Sequence, residues 1–502
     1  MAARGLSDAT SVSTAPGAAP ACVRGPSAGL GNAPLMDVDR FREQRAPLEE
    51  LDAAVVRLSL ARPGEVHASQ VEALRYVLSF ARLQAVQNVD GVDLELGEAL
   101  GPHAWKVNEA LSPWLLKEGS LARAAQALPA LVDDTRDRRR RVLEHFPLDA
   151  ESLEAEVCTR PLVVVCGGGG GAGYGYAGAW QLLHRRDLQP ELIAGTSMGA
   201  LIALFRARRR IFDPAPMYHA ARRLSWPRVF RVLQSESHYG VPATLRLYLR
   251  AAIGSLFHTP DGRPLTFRDL DLPLLIVATG LGVDALKHDM SYYEHFLDDA
   301  VSADFKLRPS RAQKIGQVAN IFRELMASPD ALREVVFGAE ESTLDADILD
   351  AAGFSSSIPG LIHYDIYRDD KRMKALLDDL YARHGITRLV EGGIVNNVPV
   401  RPAYAEVVRG RIKRRNAFYL ALDCFPPRVR SVIFYPIQTL VRPNVVRNVA
   451  YAHQYIALER TLSPLNLVPG IDDVMRAQQW AMTEMEPHMP FIEASCRTLR
   501  PI

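Results

Sequence analysis

The residue best placed to do chemistry is Ser197, in the stretch "AGTSMGAL" (194–201), where it is flanked by Gly195 and Gly199 as G-x-S-x-G. A short predicted strand, "ELIAG", precedes it and an apolar helical stretch follows, the setting in which two glycines let the chain turn sharply and leave a serine exposed at the tip. The helix that starts after Ser197 directs N–H groups and a positive dipole end at the same spot, which favours developing negative charge. A serine so placed is suited to attack an acyl carbon.

A second element lies one helix and one strand upstream, in "CGGGGGAGYGYAG" (166–178). A glycine tract after a strand exposes backbone N–H groups, which is what a tetrahedral oxyanion or a phosphate needs. Gly173, Gly175 and Gly178 also spell G-x-G-x-x-G. A dinucleotide site, however, needs an acidic residue at the end of the next strand, where this chain has "GTSMG", and a Walker loop needs a Gly-Lys pair that is missing. The spacing puts glycine loop and serine on adjacent strands, where both can address one carbonyl.

The third element is "LVEGGIVNNVPV" (389–400). Glu391 ends a predicted strand against a turn made by Gly392 and Gly393, and Asn396 and Asn397 are expected to fix that turn by bonding its backbone. A carboxylate within hydrogen-bond reach can be the direct general base for a serine hydroxyl, giving a dyad without histidine. The competing arrangement is a Ser-acid-His triad with His453 or His488 as base.

Positioning these groups requires a parallel α/β scaffold. "RPLVVVC", "ELIAG", "LPLLIVATGL" (272–281), "ITRLVEGG" (386–393) and "AFYLALDC" (417–424) read as buried strands, with helices between them. Before them, residues 36–155 follow a helical period, with Ser69 and Glu72 forming a capping box for a helix that places Val71, Leu74 and Leu78 on one face. The sequence divides into a disordered tail (1–35), a helical N-terminal domain (36–155), an α/β domain (156–430) and a C-terminal helical extension (431–502). A polar helical insertion is expected between 285 and 345.

Composition excludes several functions. Across 502 residues, Lys+Arg 59 against Asp+Glu 58 gives no field that would favour nucleic acid. Five scattered cysteines lack metal-site or redox spacing, so neither a metal nor another cofactor is expected. The N-terminus lacks the apolar core of a signal peptide, and no run is long enough to span a bilayer. The expected location is cytoplasmic, with peripheral membrane contact. Two arginine runs bear on that contact: "TRDRRRRVLEH" (135–145), read as a solvated helix face, and "RARRR" (206–210), read equally as a membrane anchor or as the basic end of a helix.

Together, "GGGGAG", "GTSMG" and "EGGIVNNVP" resemble the patatin-like phospholipase family over about 160–425. The resemblance implies a three-layer α/β sandwich with a mainly parallel central sheet, and hydrolysis of lipid acyl esters by a serine-carboxylate dyad without a cofactor. It implies Ser197 as nucleophile, the amides of Gly169, Gly170, Gly171, Ala172 and Gly173 as oxyanion hole and Glu391 in the place of the catalytic aspartate. Two positions depart from the family pattern: Ala172 stands where an arginine or lysine is usual, and Glu391 carries one methylene more than aspartate. A slowed phospholipase-type hydrolase is therefore expected; the alternative is an impaired relative that binds a lipid or a protein partner.

Overall fold

The computed structural model describes residues 37–232, 238–283, 320, 323–325, 327–367, 369–427 and 435–502. The expected N-terminal tail and most of the expected 285–345 insertion lie outside the described residues.

Twelve strands are present among them: β1 Ala85–Gln87, β2 Asp93–Glu95, β3 Leu162–Cys166, β4 Pro190–Thr196, β5 Phe230–Val232, β6 Ala243–Leu247, β7 Leu274–Leu281, β8 Leu332–Phe337, β9 Gly360–His363, β10 Arg388–Val390, β11 Phe418–Asp423 and β12 Gln454–Ala457. The seven-stranded central sheet runs β10-β7-β4-β3-β11-β12, with β8 also on β7. Pairings among β7, β4, β3, β11 and β12 are parallel, whereas β8 and β10 run antiparallel to β7.

Every residue of β3, β7 and β11 is buried, because helices cover both faces. Alternate side chains of β3 divide between the layers. Val164 and Cys166 join the core under the helices Tyr176–Arg185, Met198–Ala207 and Ile471–Met485. Val163 and Val165 pack instead against Val400, Ala403 and Val407 of the helix Val400–Val408. The result is a three-layer α/β sandwich with a mixed, mainly parallel sheet. A smaller sheet, β5-β6-β9, stands beside it.

Two local expectations change. The helix Ala68–Ala81 is capped by His67 together with Gln70, so Ser69 lies inside the first turn. The segment after 430 is not purely helical: "QYIA" forms β12, which extends the central sheet beside β11. Its β-branched and aromatic residues fit a sheet edge that the parallel core leaves open. Likewise Leu332–Phe337, within the expected helical insertion, pairs as β8.

The N-terminal helices dock where β3 and β11 begin. Buried Asp52 accepts hydrogen bonds from Arg75, Arg82 and Arg160, and these guanidinium groups hold its carboxyl well below the usual carboxylate range. Glu156 accepts from the backbone N–H groups of Arg415 and Asn416, and Arg45 donates to the Asn416 side chain. Losing one partner of such a buried network costs about 3–5 kcal/mol. Ligands of parallel sheets bind at the opposite, carboxyl end of the strands.

Candidate active site

The sheet register explains how Ser197 and Glu391 meet. β4 lies along β7 as far as Thr196 opposite Val277, while β10 comes from the other direction and ends with Val390 opposite Thr279. Both occupy the edge of β7 that β8 leaves free. Two strands therefore end head to head with Ala278 between them, and the next residue of each is Ser197 or Glu391. The Ser197 hydroxyl donates to Glu391 Oε2 at 2.9 Å, and both side chains are buried.

Ser197 holds φ 54° and ψ −126°, a left-handed conformation that costs a non-glycine residue on the order of 1–3 kcal/mol. The flanking glycines make this possible. A Cβ on Gly199 would lie 2.3 Å from the Cys166 carbonyl oxygen, and one on Gly195 would lie 2.7 Å from the Ala200 nitrogen. Ser355 completes the elbow: its hydroxyl accepts the Ser197 N–H at 2.8 Å and donates to the Val277 carbonyl.

Around Glu391, Gly392 crosses so close to β7 that a Cβ there would sit 2.1 Å from the Val277 carbonyl oxygen. The Gly393 N–H donates to Glu391 Oε1 at 3.2 Å, and Thr279 Oγ1 donates to the Glu391 carbonyl at 2.7 Å. Asn396 and Asn397 are present, but their amides do not bond the turn's backbone as expected. Asn396 Nδ2 reaches Glu334 and Asn448, and Asn397 Nδ2 points to the Gly168 carbonyl across the site. The turn is held from outside by Asn444, which donates to the carbonyls of Gly393 and Ile394 and accepts the Asn397 N–H. Burial pushes the Glu391 carboxyl up to about 8, against the lowering effect of its Ser197 and Gly393 hydrogen bonds.

The glycine loop faces the elbow, with a Gly168 Cβ position 3.1 Å from Ser197 Cβ. Its five expected donors are not equivalent. The Gly171 N–H donates to the Pro464 carbonyl at 2.9 Å, and the Ala172 N–H to the Gly169 carbonyl at 3.2 Å. Gly173 lies within the helical turn Gly170–Gly175, against Met198. Among the described residues, the N–H groups of Gly169 and Gly170 have no protein acceptor. Ala172 is fully buried, and no lysine or arginine lines the adjoining cavity.

That cavity runs from Ser197 and Gly170 between Leu201, Phe205, Met217 and Phe230, with an empty volume of about 890 Å³ including its open mouth. Its walls are almost wholly apolar. His453 and His488 are engaged elsewhere: His453 accepts the Tyr419 N–H and faces Glu49, and His488 contacts Gln454. Burial lowers the His453 imidazole to about 4. The acidic trio Asp347, Asp350 and Asp370 already surrounds a cation, the guanidinium of Arg250.

The patatin family model, described as patatin-like phospholipase, matches residues 164–404. The chain carries a patatin-like phospholipase domain. Comparison with curated proteins gives no match. The family supports lipid acyl hydrolysis, and hence lipid substrates, as the general activity of the domain. No helix among the described residues is long and apolar enough to cross a membrane.

Several residues that complete the site of this patatin-like domain lie outside the matched segment. Asn444 and Asn448 are four apart on the helix Tyr435–Val449, and that spacing, which puts two amides on one helix face, is the signal that could have revealed them. Pro464 and Asn466 cover the glycine loop so closely that Cβ atoms on Gly170 and Gly171 would lie 2.4 Å and 2.3 Å from their carbonyl oxygens. Ser355 carried no distinguishing signal among the three consecutive serines 355–357.

Proposed function

We propose that the chain is a serine carboxylic ester hydrolase acting on lipid acyl esters, with Ser197 as nucleophile and Glu391 as base. The observation that carries this reading is the 2.9 Å hydrogen bond from Ser197 Oγ to Glu391 Oε2 at the head of an apolar cavity.

In this mechanism the acyl chain lies in the cavity and the ester carbonyl sits over Ser197. As Oγ bonds to the carbonyl carbon, its proton passes to Glu391 and the carbonyl electron pair moves onto oxygen. The Gly169 and Gly170 N–H groups, with the N-terminal end of the Met198–Ala207 helix, receive that charge. Collapse breaks the ester C–O bond, and the leaving alkoxide takes the proton from Glu391. Water then gives a proton to the same carboxylate and attacks the acyl-serine carbon; collapse breaks the bond to Ser197 Oγ, which takes the proton back from Glu391, and the fatty acid leaves. The longer side chain of Glu391 is accommodated, since it reaches Ser197 at hydrogen-bond distance from a turn braced by Asn444.

A carboxyl titrating near 8 leaves about one-tenth of the base ionised at neutral pH, which supports a slow enzyme with an alkaline optimum. The test is hydrolysis of a medium-chain acyl ester, together with labelling by a fluorophosphonate probe. Ser197→Ala is expected to abolish both, and Glu391→Ala to lower turnover by about 100-fold to 10,000-fold. Equal background rates for all variants, with no label on Ser197, would instead indicate a non-catalytic lipid-binding module.

A further inference from the structure

The two arginine runs noted in the sequence are in large part tied up by ion pairs and internal contacts, whereas a third cationic cluster has no acidic partner among the described residues. In 206–210, Arg206 is buried and donates to the carbonyls of Arg209 and Arg210 and to Gln189, Arg208 lies over the Phe257 ring, and Arg210 pairs with Glu191. In 135–145, Arg139 pairs with Glu154 and Arg140 with Asp137. These contacts leave "RARRR" as a helix end rather than an anchor.

The segment 215–231 differs. Its inner side walls the acyl cavity, with Met217, Ala220, Leu224, Val229 and Phe230. Its outer side exposes Arg222, Arg223, Trp226, Arg228 and Arg231. Arg228 donates to the Arg223 carbonyl and Arg231 lies over the Tyr248 ring, but none of these four arginines forms an ion pair among the described residues. Trp226 is 46% exposed and packs its ring 4.7 Å from that of Phe230. The surrounding sequence is strongly biased, since Glu236 is the sole acidic residue between Asp213 and Asp261, against six arginines. Guanidinium groups without a carboxylate partner around a half-exposed tryptophan match an anionic interface in charge: arginines reach phosphates while the indole enters the headgroup layer.

We propose that this face docks the protein on an anionic lipid surface, with Trp226 inserted and Arg222, Arg223, Arg228 and Arg231 on lipid phosphates. Docking sets the cavity wall formed by Val229 and Phe230 against the bilayer, so an acyl chain passes from lipid to Ser197 without crossing bulk water. The docking stands on the surface itself; the acyl route rests on the hydrolase reading above.

The experiment uses the full chain carrying Ser197→Ala, so that vesicles stay intact, in sedimentation with phosphatidylcholine vesicles with or without phosphatidylserine. Binding is expected only with phosphatidylserine and should weaken with added salt. The combined Arg222→Gln, Arg223→Gln, Arg228→Gln and Arg231→Gln variant should lose on the order of a hundredfold in affinity or more, and Trp226→Ala should lose part of it. With Ser197 intact, the same arginine variant should hydrolyse a water-soluble short-chain ester at the unmodified rate, which also shows that it folds. Equal binding to both vesicle types, or unchanged binding by the folded four-arginine variant, overturns the proposal. A chain that sediments as expected but hydrolyses no ester overturns the hydrolase reading and leaves the docking standing.

Discussion

Ser197 and Glu391 leave the same edge of β7 from opposite directions, yet the two strand ends are supported in different ways. The elbow at Ser197 rests mainly on backbone sterics: Gly195 and Gly199 permit a close approach to the neighbouring backbone, and Ser355, distant in sequence, takes the Ser197 N–H. The turn at Glu391 borrows its support, from Thr279 on β7 and from Asn444 on a helix about fifty positions later. On the proposed roles, a nucleophile held by backbone sterics is hard to perturb except at its glycines. A base held by donated hydrogen bonds is open to perturbation from a distance.

The contrast breaks most severely at Gly199. In Gly199→Ala the new methyl meets the Cys166 carbonyl at 2.3 Å and that of Gly167 at 2.6 Å, with backbone on both sides. The expected outcome is loss of fluorophosphonate labelling, with a lowered melting temperature, because β3 and the elbow must move apart. Glu391→Asp ranks next. The present geometry suits the longer side chain, so withdrawing the carboxylate by about 1 Å should slow turnover roughly 100-fold, measured with a soluble ester. A faster aspartate variant would show that the turn, and not the side chain, adapts.

Asn444→Ala tests the borrowed support alone. It removes two hydrogen bonds to the carbonyls of Gly393 and Ile394 and the acceptor for the Asn397 N–H, all buried. Each buried group left without a partner costs about 1–3 kcal/mol. Turnover should fall about 10-fold to 100-fold while Ser197 still labels, since the elbow does not depend on Asn444. Equal loss of labelling and turnover would mean that the two strand ends act as one unit.

This difference in support also explains what could be read from the chain. G-x-S-x-G lies between a strand and a helix within eight residues, and steric demands on glycine are local, so the elbow was legible. Glu391 was legible because a lone carboxylate against two glycines is unusual at a strand end. What holds it was not, because Thr279 and Asn444 act through tertiary contacts that their sequence neighbours do not mark. The glycine loop gave too many donors for the same reason, since the Gly171 N–H is taken by Pro464 from a segment read only as a helical extension.

The smallest expected effect concerns protons. Burial holds the Glu391 carboxyl near 8 in the folded chain, against an ordinary 4.5. Below about 4.5 both folded and unfolded chains keep the proton, and the group has no net effect on stability. Between about 4.5 and 8 the unfolded chain releases the proton and the folded chain retains it, so stability falls as pH rises; above 8 both have released it and the loss is complete. In the proposed mechanism activity moves the other way, because the base works ionised: turnover should rise close to tenfold from pH 7 and level off above 8. Glu391→Gln separates the two effects. It should be inactive, match the parent chain in urea unfolding near pH 4, and exceed it by a few kcal/mol near pH 9. A stability difference independent of pH would place the Glu391 titration near that of an ordinary carboxylate and would remove the reason for an alkaline optimum.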